Sequence, residues 1–182
     1  SMTKPVTSLA VMMLFEEHKL GLDDPIEKHL PEYANPRVIE AFYPLDRSYT
    51  TRPAVRSITV RHLLTHTSGL GYGFASLTLA QMQGDGADAK PLPNPLPLLH
   101  DPGTLWTYGE STRVLGRLVE KLSGQPLDEF MRRRIFEPLG MHETWYEVPA
   151  EKLARVATVH RRVDGKLVEV PNGNEVRSPV QG

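Results

Sequence analysis

Residues 1–15 read SMTKPVTSLAVMMLF, and the way this stretch folds governs how the rest is understood. Val6, Leu9, Ala10, Met13 and Leu14 recur at helical spacing, while Val11, Met12 and Phe15 fill other sides. A helix apolar over most of its circumference is a buried one. Proline is tolerated only in a helix's first turn, where backbone N–H groups have no intrahelical partner. Pro5 therefore puts Ser1 at or just before the helix start, with Lys4 close behind it. Residues three apart share a helix face, so both side chains point into one space. That space lies at the end where the helix dipole favours developing negative charge. A serine hydroxyl is a weak nucleophile without a base, and a lysine can serve when apolar neighbours lower its pKa. The competing reading is a helix cap beside a surface lysine. A Ser-x-x-Lys arises by chance roughly one time in three at this composition, so the motif needs support from the rest of the chain.

Outward from this helix, Gly21 is the expected stop. LDDPIEKHLPEY (22–33) reads as a short helical turn bounded by Pro25 and Pro31, and residues 34–57 show little periodicity and read as loop. Thr59 is the expected cap of a short helix carrying Val60, Leu63 and Leu64 inward, ended by Ser68 and Gly69. Residues 84–103 hold Pro91, Pro93, Pro95, Pro97 and Pro102, too many for a helix or a central strand. Their leucines (Leu92, Leu96, Leu98, Leu99) predict an ordered covering loop. Val114, Leu115, Leu118, Val119 and Leu122 predict a helix closed by Gly124. Leu127, Phe130, Met131 and Ile135 predict another that begins at Pro126. VATVHRRVDGKLVEV (156–170), centred on Asp164-Gly165, predicts a β-hairpin. The expected organisation is a single partial domain over 1–182. It comprises a helix over 1–20 that carries the serine–lysine pair, a helical region over 21–150 with its covering loop at 84–103, a hairpin over 151–171 and a tail over 172–182. A lone two-stranded hairpin is marginal by itself, so the chain is expected to be incomplete at its C-terminal side.

Bulk properties narrow the function classes. The chain has 182 residues, 40% of them hydrophobic, and a net charge of -1. It is long enough for one domain with a core, and it lacks the positive field that nucleic acid or an anionic membrane would require. There is no cysteine, hence no disulfide framework and no thiol nucleophile. No stretch approaches the ~20 apolar residues of a membrane span. A soluble protein of the cytoplasm or periplasm is expected, with neither nucleic acid nor membrane as partner.

Four stretches then lift the serine–lysine pair above coincidence. SMTKPVTSLAVMML resembles the active-site helix of the serine β-lactamase and penicillin-binding-protein superfamily, whose first motif is Ser-x-x-Lys. LDDPIEKHLPEY resembles the segment that follows it. ITVRHLLTHTSGL (58–70) resembles a turn shared by class C β-lactamases and their esterase relatives. PGTLWTYGES (102–111), followed by an amphipathic helix ending in LSG and then by EPLGM, resembles the region of the second motif. These stretches come in family order and cover nearly the whole chain. The resemblance implies an α/β fold of the β-lactamase/transpeptidase type, represented mainly by its helical portion, so that this chain is mostly α with one hairpin. It implies Ser1 as nucleophile, Lys4 as general base and Tyr108 as proton shuttle, with no metal or organic cofactor. The reaction would be attack on the carbonyl of a small-molecule ester or amide, an acyl-enzyme, and release to water or another alcohol.

The sequence departs from the family pattern twice. Glu110 stands where β-lactamases of this group place asparagine, and a carboxylate cannot donate the hydrogen bond that orients a lactam amide. That departure favours a carboxylesterase or transesterase over the alternatives, a β-lactamase or a D-amino-acid peptidase. The third motif, Lys-Thr-Gly or its substitutes, is absent, which keeps open a non-catalytic fragment that self-associates as a homo-oligomer or binds the missing part of the enzyme. Around the motif positions, Glu110, Tyr72 and Trp106 are candidate substrate-binding residues, with Phe74 and Trp145 as further aromatic candidates; ordinary packing is the alternative for the aromatics. His66 is expected to brace its turn through side-chain hydrogen bonds rather than to act in catalysis. His62 and His66, spaced i, i+4, lack a neighbouring carboxylate and read as structural rather than as a metal pair.

Overall fold

The computed structural model describes residues 1–84 and 89–170. The expected tail over 172–182 and residues 85–88 of the proline-rich loop lie outside the described residues. Helix α1 (Thr3–Glu16) begins where Pro5 requires, with Met2 at its N-cap position. It ends before Gly21, because His18 takes a left-handed conformation (φ 58°) that a helix cannot continue through. LDDPIEKHLPEY forms two short 3₁₀ turns, Ile26–Lys28 and Pro31–Tyr33. Helix α2 (Val60–Leu64) is capped by Thr59 as expected, in a reciprocal box. The Thr59 hydroxyl accepts from the His62 N–H, and His62 Nδ1 accepts from the Thr59 N–H.

Residues 34–57 correct the expected loop. They contain an antiparallel pair, β1 (Arg37–Tyr43) and β2 (Ser48–Pro53). The pairing slips between Ile39 and Ala41, so an extra residue breaks the two-residue alternation that would have signalled the strand. Asp46 closes the turn by accepting both the Ser48 N–H and its hydroxyl. The region over 21–150 is therefore not wholly helical. A second unexpected element, helix α3 (Leu77–Gln83), is capped by Ser76 and buries Leu79 and Met82. Helix α4 (Ser111–Ser123) ends at Gly124 in the left-handed region. Helix α5 (Leu127–Met131) follows Pro126 and widens into a π turn over Arg132–Phe136. The second hairpin, β3 (Val159–Val163) and β4 (Lys166–Val170), turns at Asp164-Gly165 as its sequence predicts.

The core forms where α1 meets α4 and α5. Ala10, Val11 and Leu14 pack with Val114, Leu115, Leu118, Val119, Phe130 and Met131 in one buried cluster. Burial of this kind is worth about 1.5–3 kcal/mol per large apolar side chain, and it holds α1 against α4. Leu96 and Leu98 of the proline-rich loop pack on this body. Leu98 is buried, its N–H donates to the Arg37 carbonyl and its carbonyl accepts from the Ile39 N–H, each at 2.8 Å. Leu98 thus adds a parallel bridge beside β1. Leu99 N–H donates to the Gly69 carbonyl at 2.8 Å, pinning the same loop to the turn after α2.

One ion pair ties β2 to the segment that enters the site. Arg52 grips Asp101 with two guanidinium bonds of 3.1 and 2.6 Å, and the Val55 N–H adds a third at 2.9 Å. These contacts, the Arg52 bond foremost, pull the Asp101 carboxyl from 3.8 down to about 2. A depressed folded-state pKa contributes stability that is present above the unfolded value and is lost as pH falls through the folded one. The melting temperature is therefore expected to drop between about pH 4 and pH 2, and Asp101→Asn should flatten that drop. Thermal unfolding across this pH range checks it; an unchanged acid limb in the variant would remove Asp101 from the account.

Candidate active site

The first turn of α1 and the loop before α4 face one another across a cleft of about 960 Å³. Ser1, Lys4, Tyr72, Tyr108, Glu110 and Arg113 line it. Ser1 Oγ and the Tyr108 hydroxyl form a short hydrogen bond, although 107 residues separate them in sequence. Lys4 Nζ lies 5.0 Å from the centroid of the Tyr108 ring and 5.8 Å from that of Tyr72. The Ser1 bond, and then the Lys4 ammonium close by, hold the Tyr108 phenol below its ordinary value of 10. All three residues expected to do the chemistry thus meet at one point.

Tyr108 owes its position to the turn after α2. Gly103 N–H donates to the Thr67 carbonyl and Thr107 N–H to the His66 carbonyl, both at 2.7 Å. Ser68, fully buried, shares a 2.8 Å hydrogen bond with Ser111 and accepts from the Leu70 N–H. These bonds clamp the TSGL turn onto both sides of Tyr108. At Gly109 the two backbones touch so closely that an added Cβ would lie 2.0 Å from the Leu70 carbonyl oxygen. The His66 side chain departs from expectation: its Nδ1 is buried without a hydrogen-bond partner among the described residues. Its bracing comes from its backbone carbonyl and from its ring, 5.3 Å from Tyr108 and 6.0 Å from Trp106. Burial, helped by the Lys4 charge, pushes the His66 imidazole below 6.5, so it stands neutral at pH 7. His62 is occupied in capping α2.

Of the expected substrate-binding residues, Tyr72 and Glu110 line the cleft and Trp106 does not. Tyr72 meets Tyr108 edge-on at 5.5 Å and stacks on Phe74 at 4.8 Å. Trp106 is 67% exposed and stacks on Tyr108 at 6.2 Å. Trp145 lies elsewhere, on a separate depression with Lys152. Glu110 is ion-paired with Arg113. In the sequence, Arg113 beside a helical stripe reads as an outward-facing charge; the signal that marks it is its place one turn beyond Glu110. Among the described residues no group of three or more His, Asp or Glu is placed to hold a metal ion, and no helix is long and apolar enough to cross a membrane.

Comparison with known proteins gives concordant results. The Beta-lactamase family model matches residues 1–181. Protein Rv1367c of Mycobacterium tuberculosis is 41% identical over 88% of this chain and 41% of its own length. Lovastatin esterase of Penicillium rubens is 35% identical over 92% of this chain and 44% of its own. Among solved structures, the LovD6 mutant of simvastatin synthase from Aspergillus terreus superposes with a TM-score of 0.79 at 33% identity, over 92% of this chain and 42% of that one. The chain spans a little over two fifths of the length of these relatives.

Proposed function

The chain belongs to the beta-lactamase family, and from that premise we propose that it carries the nucleophile side of a serine acyl-transfer site acting on carboxylic esters. Ser1 Oγ attacks the ester carbonyl carbon while its proton passes to the Tyr108 oxygen. Lys4, behind Tyr108, is the base that keeps that oxygen ready to accept. When the tetrahedral intermediate collapses, Tyr108 returns the proton to the departing alcohol, leaving an acyl-Ser1 ester. Water or a second alcohol then attacks that ester by the same relay in reverse. The observation that carries this reading is the Ser1–Tyr108 hydrogen bond with Lys4 beside it. The esterase name of a relative 35% identical supports ester over lactam chemistry, as does Glu110 in place of an amide donor.

The test is the intact mass of the protein before and after a fluorophosphonate probe, with the adduct located by peptide mapping. One addition on Ser1, lost in Lys4→Ala, is the expected result. An adduct on any other serine, or none at all, sinks the assignment of Ser1.

A further inference from the structure

The Glu110–Arg113 pair lies inside the cleft yet has no part in the proton relay. Glu110 occupies the N-cap position of α4 but makes no capping hydrogen bond; its carboxylate is drawn instead to Arg113 Nε. Arg113 stands in the first turn of α4, where the helix dipole disfavours a cation, so the position needs another explanation than helix stability. A solvent-exposed i, i+3 pair contributes little to stability and needs no place in a cleft wall. Here both partners are partly buried, Arg113 36% and Glu110 24% exposed at the side chain. Only the Nε edge of the guanidinium is engaged; its two terminal nitrogens make no hydrogen bond among the described residues. Arginine's fork matches a carboxylate in a bidentate manner. Glu110 therefore holds the guanidinium at Nε, within a residue that lines the cleft. Among the side chains that line the cleft, the cations Lys4 and Arg113 stand against the single carboxylate of Glu110.

Resting on the ester-cleaving reading above, we propose that Arg113, oriented by Glu110, recognises a free carboxylate on the substrate, so that the preferred esters carry an anionic group away from the scissile carbonyl. Neither residue touches the reacting atoms. Arg113 determines specificity and Glu110 positions it.

The full chain is titrated with 4-phenylbutanoate and with 4-phenylbutanamide, matched in shape and different in charge, by ligand-observed NMR. The carboxylate is expected to bind about tenfold more tightly than the amide, the scale of a hydrogen-bonded charge contact. In Arg113→Gln the ratio should fall to near one. In Arg113→Lys, which keeps the charge without the fork, it should be intermediate, and circular dichroism identifies any variant that fails to fold. Equal or absent binding of the two ligands overturns the inference, as does a preference that survives undiminished in the folded variants. Hydrolysis of mono-4-nitrophenyl glutarate and 4-nitrophenyl butyrate separates this idea from the one beneath it. Preferential carboxylate binding without turnover of either ester sinks the hydrolase reading alone. Turnover of both esters at a ratio indifferent to Arg113 sinks the specificity alone.

Discussion

Tyr108→Phe is expected to slow acylation of Ser1 by about 10²–10⁴-fold, the range over which a positioned proton acceptor contributes, while the melting temperature stays close to wild type. The ring contacts that seat Tyr108, with His66, Tyr72 and Trp106, are all retained by phenylalanine. What goes is the hydroxyl that bonds Ser1 Oγ. The pH profile makes the prediction sharper. Ser1's hydrogen bond first, and then the Lys4 ammonium nearby, lower the Tyr108 pKa below 10. The proton-accepting form is the one that has lost a proton, so the rate should rise with pH and level off below pH 10. Lys4→Met removes one cause of the depression, so the rising limb should move to higher pH as well as losing height. Pre-steady-state release of 4-nitrophenol across pH 6–11 measures both effects. A Tyr108→Phe enzyme with wild-type burst kinetics would refute the relay.

The local rules explain why some of this was legible in the sequence and some was not. Helix α1, the Thr59 cap and the Asp164-Gly165 turn each depend on residues within a few positions of one another, so their signals survive in a single linear reading. The β1–β2 pair does not: the slip between Ile39 and Ala41 scrambles alternation, and the covering partner, Leu98, lies some sixty residues away. Helix α3 was hidden because seven residues give too little periodicity to count, although Ser76 and Gly84 bracket it. The pairing of Ser1 with Tyr108 across 107 residues could be expected only from a family likeness, since no spacing rule reaches so far. The Arg113 side chain was out of reach for a related reason. Its helix position is plain in the sequence, but the cleft it faces exists only after α1 and α4 pack.

Gly109→Ala is expected to cost about 10²-fold in acylation, the scale of a displacement near 1 Å at a reacting group, without removing any group that takes part in the chemistry. The reason is steric and lies in the backbone. A Cβ on residue 109 would stand 2.0 Å from the Leu70 carbonyl oxygen and 2.5 Å from Gly71 Cα. Neither is the far end of a side chain that could swing aside. The loop holding Tyr108 must back away from the TSGL turn, and the Ser68–Ser111 hydrogen bond that clamps the two together is strained with it. Overpacking of this kind typically costs about 1–3 kcal/mol, so a lowered melting temperature should accompany the lost rate. The two adjacent variants then separate chemistry from placement: Tyr108→Phe loses rate at unchanged stability, whereas Gly109→Ala loses both. The pH limb distinguishes them again. Gly109→Ala moves Tyr108 away from Ser1 and Lys4, the two groups that depress its pKa, so whatever activity remains should need a higher pH. Should Gly109→Ala retain full rate and stability, the TSGL turn would not be what holds Tyr108 against Ser1, and the site's geometry would have to be maintained from the α1 side alone.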